Sequence, residues 1–166
     1  EPQTGYIRTW VGGIDYDNFA YDHVRQGKRQ VGSTFKPFVY ATAIEAGFSP
    51  CYEVPNVPYV FKKGTFGLLK DWAPENSDGE YGYNVSLRYG LATSMNTITS
   101  WVMKQFGPEA AVKMAQDLGI TSELPAVPSL ALGVADVSVY EMVGAFGTFA
   151  NKGVYTKPQF LARIEN

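Results

Sequence analysis

The chain has 166 residues, which is enough for one domain with a hydrophobic core. Its formal net charge of -2 argues against a nucleic-acid partner, and no apolar run approaches membrane-spanning length. The single histidine, His23, excludes a multi-histidine metal site and argues against a Ser-His-Asp triad, while the single cysteine, Cys51, leaves no partner for an internal disulfide.

The first part of the chain predicts one strand. Residues Tyr6 to Val11 are rich in strand-forming side chains, and the glycines at positions 12 and 13 favour an end to the strand there. The stretch from Asp15 to Gln30 is polar and follows no regular period, so we expect it to be irregular.

A Ser-x-x-Lys tetrad begins at Ser33, where the sequence also predicts the start of a helix. Pro37 in the first turn and Gly47 at the end favour a helix from about Ser33 to Ala46. Because side chains three residues apart lie on one face of a helix, we expect the hydroxyl of Ser33 and the amine of Lys36 to project together from the helix N-terminus.

This spacing suits nucleophilic catalysis. A serine hydroxyl becomes a good nucleophile when a neighbouring base takes its proton, and a lysine can be that base only when its amine is neutral. Burial of Lys36 against Phe35 and Phe38, together with the positive end of the helix dipole, favours the neutral amine. The main-chain N–H of Ser33 is a candidate oxyanion donor. On its own, such a tetrad is more often a helix cap followed by a solvated lysine.

A stretch rich in proline and glycine, from Phe48 to Ser86, predicts a long loop with short elements of its own. Alternating apolar residues from Val57 to Phe61 and a turn around Gly64 predict a small hairpin. The Asp-Gly pair at positions 78 and 79 marks a further turn.

A second polar motif, Ser94-Met95-Asn96, separates two helical patterns that begin near Leu87 and Ile98. A turn between helices presents its side chains to a cleft, where the hydroxyl of Ser94 is suited to relaying a proton. The amide of Asn96 can both donate to and accept from a peptide-like substrate. The alternative is that Ser94 or Asn96 simply caps the following helix.

Two further helices are predicted downstream. Pro108 opens one that covers about Ala110 to Leu118 and ends at Gly119. A capping-box pattern, Ser138-x-x-Glu141, opens the other.

This last helix, predicted over Val139 to Ala150, carries an apolar stripe of Val143, Phe146 and Ala150. Its Gly144 and Gly147 predict close contacts with neighbouring elements. The segment from Tyr155 to Ile164 is predicted to be extended, with Pro158 restricting it to an edge or a bulge.

Five ordered segments resemble the transpeptidase domain of class A (bifunctional) penicillin-binding proteins, a family that pairs Ser-x-x-Lys with a Ser-x-Asn element and Lys-Thr-Gly. The resemblance runs nearly from end to end of the chain. The segments are Thr4–Gly13, Arg29–Phe38, Leu91–Asn96, Pro128–Gly133 and Phe149–Val154. In the second segment, Val31 stands where the family usually has proline.

The third family motif is missing. The run Lys63-Gly64-Thr65 has the same residue types in another order and lies between the first two motifs. In the family the third motif follows on a strand well downstream of the second. We therefore expect residues 1–166 to be a partial transpeptidase domain, without its C-terminal half and without the glycosyltransferase domain and membrane anchor that class A members carry upstream.

The resemblance implies an α+β fold of the β-lactamase and penicillin-binding-protein transpeptidase type, here mainly the helical lobe with an incomplete antiparallel sheet. It implies a DD-transpeptidase that cross-links peptidoglycan stem peptides through a serine acyl-enzyme, without metal or organic cofactor, and that β-lactams inhibit. By the same resemblance, Ser33 is the nucleophile and Lys36 is the base for acylation. Ser94 then relays a proton, and Asn96 binds the substrate amide.

The implied partners are stem peptides ending in D-Ala-D-Ala and β-lactams, with other cell-wall synthesis proteins as further candidates. The implied location is the periplasm, at the extracytoplasmic face of the bacterial inner membrane, and we expect membrane contact only through an N-terminal anchor outside residues 1–166.

Two alternatives stay open. One is a hydrolytic enzyme of the same chemistry, a DD-carboxypeptidase or β-lactamase, in which a carboxylate activates water. Glu75 and Glu80 lie in the long loop, and nothing in the sequence places either near Ser33. The other is a non-catalytic domain that binds muropeptide or a β-lactam as a sensor.

We expect the 166-residue chain alone to show no measurable transpeptidase activity, because the third motif and its strand are missing. For the same reason, we expect the apolar faces of the helices that begin at Ser33 and Val139 to be exposed.

Overall fold

The structure is a computed structural model that describes residues 1–161 and 163. It divides into two compact units. The first contains residues 1–30, 115–123 and the described part of 136–166, and the second contains residues 31–114 and 124–135. The four predicted site residues all belong to the second unit.

The described residues form five α-helices, four three-residue strands and three short 3-10 segments. The helices are α1 (Lys36–Glu45), α2 (Leu87–Ala92), α3 (Asn96–Phe106), α4 (Pro108–Asp117) and α5 (Val139–Ala150). The strands are β1 (Lys28–Gln30), β2 (Glu53–Pro55), β3 (Asn84–Ser86) and β4 (Asp136–Ser138), and the 3-10 segments are Gly32–Phe35, Thr65–Gly67 and Pro128–Leu132. Within the described part of the chain, no helix has the length and apolar character needed to cross a membrane.

The strands pair in two small antiparallel sheets. In the first unit β1 pairs with β4, with Lys28 opposite Ser138. In the second unit β2 pairs with β3, with Val54 opposite Val85. The stretch from Asp15 to Gln30 therefore ends in a strand instead of being irregular throughout, because β4 supplies hydrogen-bond partners that the local pattern does not reveal.

The predicted strand from Tyr6 to Val11 does not form. Only Tyr6 makes a bridge, which is parallel to Gln159, with the N–H of Ile7 donating to the carbonyl of Gln159 at 3.0 Å. A strand persists only where a neighbour continues the hydrogen-bond ladder, and Pro158 has no N–H to do so. The predicted extended segment from Tyr155 contains this one bridge, and Ile164, where the segment was predicted to end, lies outside the described residues.

Helix α1 is covered on its apolar face, contrary to our expectation. Phe35 and Phe38 are fully buried with ring centroids 5.2 Å apart, and α1 packs against α3, whose Ile98 and Val102 are also fully buried. Burying an apolar side chain of this kind stabilises the fold by about 1.5–3 kcal/mol. The second unit therefore supplies its own cover for the helix that follows Ser33.

Helix α5 does expose its apolar stripe. Val143 is 62% exposed and Phe146 is 40% exposed, whereas Gly144, Ala145 and Thr148 form the buried face. The prediction of an open apolar face is confirmed for this helix. The stripe marks the surface side of α5, because the buried side of the helix consists mainly of small residues.

The two glycines of α5 differ in their surroundings. A Cβ on Gly144 would lie 3.1 Å from the Pro158 ring, which confirms the predicted close contact, but a Cβ on Gly147 would meet nothing within 4 Å. The predicted close contact is therefore wrong for Gly147, where the helix side is open.

The predicted capping box opens α5, and it extends to a second segment of the first unit. The hydroxyl of Ser138 donates to the Glu141 carboxylate at 2.7 Å, and the main-chain N–H groups of Thr121 and Ser122 donate to it at 3.0 and 2.6 Å. Burial alone would raise the pKa of Glu141, but hydrogen bonds from Ser138, Ser122 and Thr121 outweigh it and lower the pKa from 4.5 to about 2.

The long loop of the second unit contains the turns that the sequence predicts. Phe61 and Trp72 exchange two main-chain hydrogen bonds of 2.8 and 2.9 Å around the turn at Gly64, so the hairpin exists as a single bridge. A second turn forms at the predicted Asp-Gly pair, where the N–H of Gly79 donates to the carbonyl of Asn76 at 3.2 Å. This second turn places Asn76 beside the candidate site.

Candidate active site

Ser33 lies in the 3-10 segment that leads into α1, so the Ser-x-x-Lys tetrad opens a helix as predicted. Its side chain is exposed and makes no hydrogen bond to any residue that the structure describes. Its carbonyl accepts from the N–H of Lys36. The hydroxyl is therefore open to a reactant from solvent.

Main-chain hydrogen bonds to the segment around Gly133 hold this turn. The N–H of Gly32 donates to the carbonyl of Gly133 at 3.0 Å, and the N–H of Val31 donates to the carbonyl of Ala135 at 3.0 Å. Gly133 has a φ of +71°, and a Cβ on it would lie 1.9 Å from the carbonyl oxygen of Gly32. Only glycine allows the two backbones to approach this closely.

Lys36 is 1% exposed, and its ammonium group has three hydrogen-bond acceptors. The Nζ atom donates to the carbonyl oxygen of Ser94 at 2.5 Å, to the Ser94 hydroxyl at 3.0 Å and to Oδ1 of Asn96 at 2.7 Å. These acceptors match the three donors of an ammonium. Burial lowers the pKa of Lys36 from 10.5 to about 8, in the direction that a base for a serine hydroxyl needs.

Ser94 lies in the turn between α2 and α3 and has a left-handed backbone, with a φ of +58°. The N–H of Ser94 donates to the carbonyl of Leu91 at 3.1 Å, and the N–H of Met95 donates to the carbonyl of Gly90 at 2.8 Å. This is the Schellman ending of a helix, in which glycine usually occupies the left-handed position. A serine there costs about 1 kcal/mol, so the position retains a side chain at the expense of some strain.

Asn96 is the first residue of α3, and its side chain does not cap the helix. The N-cap residue is Met95, which has no side-chain cap hydrogen bond, and the Asn96 amide instead donates to the carbonyl of Glu75 at 2.8 Å. The alternative that Ser94 or Asn96 merely caps α3 is therefore wrong. Both side chains contact Lys36 instead.

The helix cap comes from a residue that the sequence analysis did not single out. The Oδ1 atom of Asn76 accepts from the N–H groups of Asn96 and Thr97, both at 3.1 Å. Asn76 lies in the long loop, 20 residues before Asn96. The sequence carries only an indirect signal that the cap comes from elsewhere: the N-cap residue of α3 is a methionine, which has no side-chain oxygen to accept from the helix.

Three of the four predicted residues thus meet in one hydrogen-bonded cluster, which we call the Lys36 cluster: Lys36, Ser94 and Asn96. Ser33 is tied to it through the chain, at the other end of the tetrad. The arrangement presents an exposed hydroxyl, a buried amine of lowered pKa, a second hydroxyl and an amide, which are the groups that serine acyl transfer uses.

Comparison with known proteins gives the family context. A family model described as the penicillin binding protein transpeptidase domain matches residues 1–166. The chain is similar to penicillin-binding protein 1A of Pseudomonas aeruginosa, with 37% identity over all of this chain and 20% of that protein. It is also similar to penicillin-binding protein 2D of Bacillus subtilis, with 36% identity over 99% of this chain and 24% of that protein. The chain thus spans 20–24% of the length of these two curated relatives.

Solved structures confirm the α+β fold. Penicillin-binding protein 1A from Haemophilus influenzae matches 85% of this chain and 21% of its own, with a TM-score of 0.77 and 33% identity. The penicillin-binding protein PonA1 from Mycobacterium tuberculosis matches 95% of this chain and 42% of its own, with a TM-score of 0.79 and 27% identity.

Proposed function

Because the chain belongs to the penicillin-binding protein transpeptidase domain family, we propose that it contributes the serine half of a DD-transpeptidase site that cross-links peptidoglycan stem peptides. The observation that carries the proposal is the Lys36 cluster, in which a buried lysine, three residues after an exposed serine, is held by a second serine and an asparagine. The residue roles, the substrate and the cellular location that follow are parts of this proposal.

The first half-reaction forms the acyl-enzyme. The hydroxyl oxygen of Ser33 bonds to the carbonyl carbon of the penultimate D-Ala, and its proton passes to the neutral amine of Lys36. The bond to the terminal D-Ala then breaks, and the leaving amine takes a proton through Ser94. Asn96 hydrogen-bonds the substrate amide, and the main-chain N–H of Ser33 is one oxyanion donor.

The second half-reaction releases the peptide to a new partner. An amine of a second stem peptide attacks the ester of Ser33, loses its proton through Ser94 to Lys36, and forms the cross-link, while Ser33 regains its proton. The lowered pKa of Lys36 supports this role: with a pKa of about 8, about a quarter of the amine is neutral at pH 7.5.

The donor substrates of the proposed reaction are stem peptides that end in D-Ala-D-Ala, and β-lactams would acylate Ser33 in their place. The proposed location is the extracytoplasmic side of the bacterial inner membrane, where the peptidoglycan to be cross-linked lies. No proposed step uses a metal or an organic cofactor.

The hydrolytic and the sensor alternatives remain distinguishable from transpeptidation. The loop around Glu75 does reach the site, but its contact with Asn96 uses the main-chain oxygen, and the Glu75 side chain is exposed. A β-lactamase would hydrolyse the penicillin ester rapidly and release ring-opened penicillin, a carboxypeptidase would release D-Ala without exchange, and a sensor would exchange nothing.

The experiment is penicillin labelling combined with peptide exchange. The full-length protein should form a stable ester with fluorescent penicillin at Ser33 and should exchange the terminal D-Ala of a stem pentapeptide for a labelled D-amino acid. The Ser33→Ala variant should lose both, while the Ser49→Ala variant, at an exposed serine of the same unit, should lose neither. Labelling of the Ser33→Ala variant at another serine would overturn the proposal.

A further inference from the structure

The first turn of α3 lacks a cap of its own. Its N-cap residue, Met95, offers no side-chain oxygen, and the residues on either side, Ser94 and Asn96, point their polar groups at Lys36. A helix start leaves main-chain N–H groups without partners inside the helix, and leaving a buried group unpaired costs about 1–3 kcal/mol. The cap must therefore come from elsewhere in the fold.

Asn76 provides it from the long loop. Its Oδ1 atom accepts from the N–H groups of both Asn96 and Thr97, and its side chain is 7% exposed. This oxygen replaces the cap that Ser94 and Asn96 would otherwise have to supply. Both of those side chains are thereby left free to contact Lys36.

The orientation of the Asn76 amide is fixed by its other end. The Nδ2 atom donates to Oδ1 of Asn56 at 2.8 Å and to the carbonyl of Glu80 at 3.1 Å. Asn56 is itself fully buried and accepts from the hydroxyl of Thr97 at 2.7 Å. Because both Nδ2 hydrogens have acceptors on this side, the oxygen has to face α3.

The residue before Asn76, Glu75, fixes the orientation of the Asn96 side chain. The carbonyl of Glu75 accepts from Nδ2 of Asn96 at 2.8 Å, which turns Oδ1 of Asn96 towards Nζ of Lys36 at 2.7 Å. Two consecutive loop residues thus hold Asn96 by its main chain and by its side chain. Ser94, two residues earlier, is held in its left-handed conformation by the main-chain hydrogen bonds at the end of α2.

We propose that Asn76 is a positioning residue for the acyl-transfer reaction: through the first turn of α3 it holds Asn96 against the amine of Lys36. The inference rests on the proposed function, and it adds a residue outside both sequence motifs. Asn76 makes no hydrogen bond to Lys36 or Ser33, and its bonds to α3 go to Asn96 and Thr97.

The test compares variants of the full-length protein by their rate of acylation with fluorescent penicillin across pH. The Asn76→Ala variant removes the cap and admits water beside Lys36. We expect its acylation rate at pH 7.5 to fall about tenfold to a hundredfold, the cost of a misplaced catalytic group. We also expect the pH of half-maximal rate to move upward from about 8 towards 10.5, because burial is what lowers the pKa of Lys36.

A further variant separates positioning from stability. Glu141→Gln should lower the unfolding temperature without moving the pH profile, since the Glu141 carboxylate has no hydrogen bond to the Lys36 cluster.

The outcomes distinguish this inference from the proposed function. If the wild-type protein is not acylated, the proposed function fails. If the wild type is acylated at Ser33 but Asn76→Ala keeps its pH of half-maximal rate, or shifts it no more than Glu141→Gln does, Asn76 is only structural and the inference is overturned.

Discussion

Ser94 directs two oxygen atoms at Lys36, its carbonyl at 2.5 Å and its hydroxyl at 3.0 Å from Nζ. Both atoms reach the same nitrogen because the left-handed backbone of Ser94, with φ at +58°, turns its carbonyl inward at the end of α2. The carbonyl can only accept a hydrogen bond, whereas the hydroxyl can both accept and donate one. One residue therefore fixes the lysine and offers a path for its proton.

The proposed role of Lys36 as the base predicts a large effect for Lys36→Arg. Arginine keeps the charge but cannot supply a neutral nitrogen near neutral pH. We expect the rate of acylation by penicillin to fall by about two to four orders of magnitude, the range for a lost general base. Stopped-flow labelling of the full-length protein measures this. Lys62→Arg, at an exposed lysine paired with Asp71, is the matched control and should keep the wild-type rate.

The lowered pKa of Lys36 predicts the pH dependence of acylation. On the proposed mechanism Lys36 acts in its neutral form, so the rate should rise with pH and reach half of its maximum near pH 8, where an ordinary lysine would place this point near 10.5. Labelling rates measured from pH 6 to pH 10 check the value. A rate that is flat over this range would mean that Lys36 is not the group that takes the proton.

The contact between Gly133 and Gly32 predicts that Gly133→Ala damages the site. The new Cβ would lie 1.9 Å from the carbonyl oxygen of Gly32 and would also occupy a φ of +71°. We expect a loss of about 1–3 kcal/mol in the free energy of unfolding and, from the displaced Ser33 turn, an acylation rate about a hundredfold lower. Urea unfolding and penicillin labelling measure the two effects.

A helical glycine provides the control for this change. Gly147 of α5 has no atom within 4 Å of an added Cβ and no positive φ, so Gly147→Ala should leave acylation unchanged and keep or raise the stability. An acylation rate for Gly133→Ala equal to that of the control would show that the Ser33 turn does not depend on the glycine contact.

The hydrogen bonds of Glu141 predict a pH-dependent contribution to stability. Its pKa is about 2 in the folded protein against 4.5 for a free carboxyl, so the contribution is complete above pH 4.5 and is lost as the pH falls towards 2. We expect Glu141→Gln to lower the free energy of unfolding at pH 7 by up to about 3 kcal/mol, at 1.36 kcal/mol per pKa unit.

Urea unfolding at two pH values checks this. The difference between the wild type and Glu141→Gln should be largest at pH 7 and should shrink at pH 3. A difference that stays constant between the two pH values would show that the charge of Glu141 does not contribute.

Much of the site follows from local sequence chemistry. The helix start at Ser33 and the turn at Ser94 each depend on residues within a few positions, and the Ser138–Glu141 capping box does too, so their patterns are visible in the chain. The predicted burial of Lys36 also follows from its aromatic neighbours, and it is confirmed.

Other features depend on partners far along the chain. The left-handed position at the end of α2 holds Ser94 and not the glycine that a sequence pattern predicts, and its side chain contacts Lys36, 58 residues earlier. The cap of α3 comes from Asn76 in the long loop, and no local rule connects the two. The strand predicted at Tyr6 to Val11 fails for the same reason, since a strand needs a neighbour that the sequence does not specify.

The Lys36 cluster joins chain segments that are 58 and 60 residues apart. In an unfolded chain Lys36 is surrounded by water and titrates as an ordinary lysine, so about one amine in a thousand is neutral at pH 7.5. On the proposed mechanism, Ser33 becomes reactive only when α1 and α3 have docked. Only natively folded molecules are then acylated by penicillin. As the denaturant concentration rises, the loss of acylation reports the separation of α1 from α3, whereas circular dichroism reports the total helix content.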